Sequence, residues 1–122
     1  MQIEEYAEHL EFLGYELDRS DGIAASHERF PNIKILEKGG GLLMVAWFGV
    51  KEEVASEGLE YVNSLNQQAV ATRYLIDADG DFAMEGWVPG EYSRNTFATY
   101  MELWHRDWMI VQGHERSADI LA

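Results

Sequence analysis

The sequence predicts a single α+β domain, an antiparallel sheet packed by helices in the order α-β-β-β-α-β-β-α. Three observations carry that expectation. Residues 57–68 place apolar side chains at helical spacing and run into two alternating stretches, 70–76 and 82–88, separated by Asp77-Ala78-Asp79-Gly80-Asp81. Residues 42–48 are an unbroken apolar run directly after Gly39, Gly40 and Gly41. Residues 3–13 and 97–111 each carry one apolar helical stripe. At 122 residues and 47% hydrophobic content, residues 1–122 are expected to share one core.

In the first helix Ile3, Tyr6, Ala7, Leu10 and Leu13 form the stripe, with Glu4, Glu5, Glu8 and Glu11 on the opposite side. Glu4 and Glu5 complement the helix dipole in the first turn, and Gly14 is placed to stop the helix. Phe12 falls off the stripe and is expected to pack where the helix ends. Residues 15–21 read as polar turn, 23–28 as a weak strand, Pro31-Asn32 as a break, and 33–36 as a short strand. The apolar run 42–48 reads as a central strand buried on both faces. The three glycines are a turn rather than a phosphate cradle, because neither a Lys-Ser/Thr pair nor a helix follows them.

Ser56 is the expected N-cap of the second helix, which presents Leu59, Val62, Leu65 and Ala69 on one face. The loop after it decides which side chains meet across the hairpin. A two-residue turn at Asp79-Gly80 would set Tyr74 against Glu85, whereas a three-residue loop with left-handed Gly80 pairs Ile76 with Phe82, Tyr74 with Met84, Arg73 with Glu85 and Val70 with Val88. The second register is expected, with Asp77 accepting backbone N–H bonds at the first turn position. Asp77, Asp79, Gly80 and Asp81 are thus structural turn residues. A calcium loop would need glycine at its sixth position and glutamate at its twelfth, where this stretch has Phe82 and Val88.

The last helix starts near Ser93 and gathers Phe97, Tyr100, Met101, Trp104, Trp108 and Val111 in one sector. Trp104 and Trp108 are expected in the core. Leu103 and Ile110 form a smaller patch beside that stripe, and together with Trp87 they are the expected partner contacts. Residues 113–122 carry little pattern and are expected to fray.

The composition narrows the function. The absence of cysteine excludes disulfides, thiolate metal sites and cysteine nucleophiles. A net charge of −13, with basic residues scattered singly, argues against direct nucleic-acid binding. No apolar run is long enough to span a bilayer and no basic-then-apolar segment opens the chain, so a cytoplasmic location without membrane association is expected. His9, His27, His105 and His114 show no paired ligand spacing, and no metal, cofactor or catalytic residue is expected.

The segment Tyr61-Val62-Asn63-Ser64-Leu65-Asn66, the Asp77–Phe82 loop after it, the Trp-rich last helix, residues 10–15 and the glycines at 39–41 together resemble the YbjN-like family of candidate bacterial sensory-transduction regulators. The resemblance implies the fold of type III secretion chaperones, small acidic dimers that hold partner polypeptides. The expected function is therefore a non-catalytic, chaperone-like or regulatory homodimer that binds a partner polypeptide. The alternatives are a small-molecule sensor or enzyme with a pocket beneath the last helix, and an acidic mimic of nucleic acid.

Overall fold

The computed structural model describes residues 3–122. Helix α1 (Ile3–Phe12) is followed by β1 (Glu16–Asp18), β2 (Ile23–Ser26), β3 (Ile33–Lys38) and β4 (Gly41–Phe48). A 3₁₀ segment (Glu52–Glu57) leads into α2 (Gly58–Asn66), then β5 (Arg73–Ile76), β6 (Phe82–Val88), α3 (Arg94–Gly113) and α4 (Ser117–Ile120). The strands form one antiparallel sheet in the order β1-β2-β3-β4-β6-β5. The α+β class of the sequence reading holds, with one more strand and one more short helix than expected. β1 escaped notice because it is three residues long and mostly polar.

One core joins the helices to one face of the sheet. Tyr6 and Leu10 from α1, Tyr61 and Leu65 from α2, and Phe97, Met101 and Trp104 from α3 pack with Ile33, Ile35, Leu42, Met44, Phe82 and Met84. Trp104 is fully buried, and Trp108 stacks on Phe48 at 5.1 Å between ring centroids. Gly14, at φ 96°, ends α1 as expected: its N–H reaches the Glu11 carbonyl and the Tyr15 N–H the Leu10 carbonyl, each at 3.0 Å. Ser93 caps α3 by accepting from the Thr96 N–H.

Both hairpins follow their turn residues. Gly39 and Gly40 have positive φ and join Lys38 to its pair Gly41 in a two-residue turn. Between β5 and β6 Gly80 lies at φ 85°, and Asp77 Oδ1 accepts from the Asp79 and Asp81 N–H groups. Ile76 therefore faces Phe82, Tyr74 faces Met84 and Arg73 faces Glu85, as the three-residue loop requires.

Several expectations are corrected. Ser56 is no cap: it lies within the 3₁₀ segment, and α2 starts at Gly58 with Glu57 before it and no side-chain cap. Leu59 points to solvent while Tyr61 takes the inward position. Phe12 does not pack down; it is 75% exposed, with the Arg94 guanidinium 5.6 Å above its ring. Residues 113–122 are docked, since Ile120 is buried, Leu121 bridges to Val50, and the Ala122 N–H reaches the Gly49 carbonyl at 2.9 Å. β4 is covered on one face only, because helices pack on a single side of the sheet.

Candidate functional site

The register fixes what the other face of the sheet presents. In β4, Leu42, Met44 and Ala46 point into the core, so Leu43, Val45 and Trp47 point away from it. Pairing sets Leu43 between Leu36 and Trp87, Val45 between Lys34 and Glu85 with Arg73 beyond, and Trp47 beside Ala83, which adjoins Leu75. Two apolar rows, Leu36-Leu43-Trp87 and Trp47-Ala83-Leu75, thus flank a row of alternating character, Lys34-Val45-Glu85-Arg73. No helix covers them. Leu36 is 36% exposed, Trp47 49% and Trp87 47%, and Val45 and Ala83 are buried by their neighbours on this face rather than by the core.

Two depressions mark the surface. One, of about 290 Å³, runs along Leu36, Val45, Trp47, Leu75 and Ala83. The other, of about 520 Å³, lies beside Trp87, between Lys38 and Leu43 on one side and residues 70–73 on the other. Trp87 is held in place: its indole N–H donates to the Lys38 carbonyl at 2.7 Å, and a side chain at Gly41 would collide with its ring.

The lip of the second depression has an unexpected cause. Residues 70–72 continue the alternation of β5, and the sequence predicts Val70 opposite Val88, yet pairing stops at Arg73 and Glu85. Asp107 on α3, fully buried, captures the three preceding N–H groups. Its Oδ2 accepts from Ala71 N at 2.9 Å, Thr72 N at 2.9 Å and Thr72 Oγ1 at 2.8 Å, and Val70 N lies 3.0 Å from Oδ1. Three successive amides around one carboxylate form a filled anion nest, and β5 is drawn off the edge of β6. The signal was in the sequence: Asp107 sits three residues after Trp104 and four before Val111, inside the apolar sector of its helix.

Histidine chemistry elsewhere is accounted for by packing. Ser64 Oγ lies 3.1 Å from His114 Nε2, but His114 Nδ1 accepts the Arg116 N–H, so in the neutral ring Nε2 carries the proton and cannot take one from Ser64. His105 stacks on Phe30 at 3.7 Å and bonds the Tyr15 hydroxyl at 2.8 Å; burial, with His27 nearby, lowers its pKa to about 4. His9 bonds the Tyr92 hydroxyl at 2.7 Å, and burial lowers its pKa.

The structure divides the expected contact residues. Trp87 stands on the uncovered face. Leu103 and Ile110 are half-buried on α3, in the helical layer, with Ile110 packed against the core. They lie in a different layer from Trp87. Trp47 and Leu36 were missed because an unbroken apolar run does not reveal which of its faces is covered. Among the described residues no helix is long and apolar enough to cross a membrane.

No family model matches the chain, and no curated protein matches it. Among solved structures, the crystal structure of YbjN, described as a candidate transcription regulator from E. coli, superposes with a TM-score of 0.79 at 13% identity, covering 98% of this chain and 95% of that one. The helical layer, the six-stranded sheet and its uncovered face belong to a chain with the fold of YbjN.

Proposed function

We propose that the chain is a non-catalytic interaction module, chaperone-like or regulatory, that acts in the cytoplasm as a homodimer and holds a partner polypeptide. The uncovered sheet face carries this reading. Two half-exposed tryptophans with Leu36, Leu43 and Leu75 make an apolar surface of the kind that marks polypeptide contacts, and aromatic anchors dominate the energetics of such contacts. The protonated Nε2 of His114 supports a non-catalytic role for the closest serine–histidine pair.

Sedimentation equilibrium combined with affinity capture tests the reading. A mass of about twice 13.9 kDa, together with a polypeptide retained at high salt, is the expected result. A monomer at every concentration, or a melting shift with a small molecule and no polypeptide partner, would overturn it.

A further inference from the structure

We infer that a second copy of the chain packs face to face on the uncovered sheet, about a two-fold axis running along β4. This rests on the homodimer reading and names its surface.

Charge complementarity favours this axis. In a two-fold contact between identical faces, each patch meets itself, so the row Lys34-Val45-Glu85-Arg73 must be complementary to its own rotated copy. An axis lying across the strands through this row would set Lys34, Glu85 and Arg73 each against the same residue of the partner, three like-charge oppositions. An axis along β4 exchanges β3 with β6. Lys34 then lies over the partner's Glu85, and Glu85 over the partner's Lys34. The apolar rows agree with the same rotation: Leu36 meets the partner's Trp87, while Leu43, Val45 and Trp47 each meet their own counterpart.

The charged groups are available for this exchange. Both contacts of Arg73 with Glu85 fall on Oε1, which leaves Oε2 to face the partner's Lys34. Lys34 has Asp21 at 3.7 Å, a loosely held and solvent-exposed carboxylate. By register the face carries Lys34, Lys38 and Arg73 together with Glu85, Asp77, Glu16 and Asp18, so both signs of charge are interspersed on it, and Asp18 ends the Lys34 row on β1.

The test is charge exchange between copies. Lys34→Glu and Glu85→Lys, prepared separately, should each weaken self-association by at least about tenfold. An equimolar mixture should restore it, because each variant supplies the charge the other has lost. Sedimentation velocity with one variant fluorescently labelled reads the mixed dimer directly. Circular dichroism melting confirms that each variant folds. If Glu85→Lys does not fold, Trp47→Arg replaces it: the two-fold axis sets that position against itself, so the like charges should leave a folded monomer. Single variants that dimerise like the parent chain would overturn the surface. A mixture that stays monomeric would overturn the axis. A parent chain that is monomeric at every concentration fails the homodimer reading itself, and the two failures are thereby distinguished.

Discussion

Removal of the Asp107 carboxylate is the most informative single perturbation. The side chain is fully buried and accepts from the amides of Val70, Ala71 and Thr72 and from the Thr72 hydroxyl. A hydrogen bond to a charged group contributes roughly 1.5–3 kcal/mol. Val70 is exposed, so water replaces the carboxylate at that amide, and the Thr72 hydroxyl can rotate to another acceptor. Two amides remain poorly served, which sets the cost of Asp107→Ala at about 4 kcal/mol, within the range for breaking a buried charged network. A chain of this size holds roughly 6–18 kcal/mol by the usual per-residue scale, so the variant stays folded in water. With a urea slope near 2 kcal/mol per molar, its midpoint falls by about 2 M. Hydrogen exchange supplies the local readout, with amides 70–72 losing protection before the strands do. A cost below about 1 kcal/mol, or unchanged exchange at those three amides, would refute the assigned role.

Other perturbations separate turn, core and pH effects. Gly80→Ala should cost roughly 1 kcal/mol in denaturant melts because its φ of 85° disfavours a side chain, while Asp79→Asn, whose carboxylate bonds no turn amide, should be nearly silent. Trp104→Ala should cost about 3–5 kcal/mol, whereas Trp47→Ala on the open face should cost under about 1 kcal/mol in the monomer; equal losses would contradict the layering. His105 sets an acid limit. Its folded pKa of about 4 lies below its ordinary value of 6.5, so the unfolded chain binds the extra proton first. Stability is then complete above pH 6.5 and declines as pH falls towards 4, by about 2 kcal/mol after allowance for partial exposure. His105→Asn should flatten the pH 6.5–5 slope of stability, and an unchanged slope would reassign it to other groups.

Local chemistry made much of this fold legible. The length of the Asp77–Asp81 loop and the left-handed demand on Gly80 fix the β5–β6 register, and Gly14 and Ser93 mark helix ends through backbone bonds that span only a few residues. The expectations that failed depend on distant partners. Val70 leaves the sheet because of a carboxylate 37 residues away, and the tail is ordered by Val50 and Gly49 on the far side of the chain. The uncovered face was half legible. Trp87 was recognisable as an aromatic on an alternating strand, while Trp47 was hidden inside a run whose two faces look alike until one is covered.

The Asp107 nest also carries an order of events. Residues 70–72 leave the ribosome well before the side chain that holds them, since their acceptor lies 35 to 37 residues further along. Until α3 is made, these amides have no carboxylate to hold them, and the core lacks Phe97, Met101 and Trp104. Arrival of the last helix therefore completes the core and fixes residues 70–72 together. A chain that ends before α3 would lack both the core contacts of that helix and the acceptor that shapes the lip of the groove.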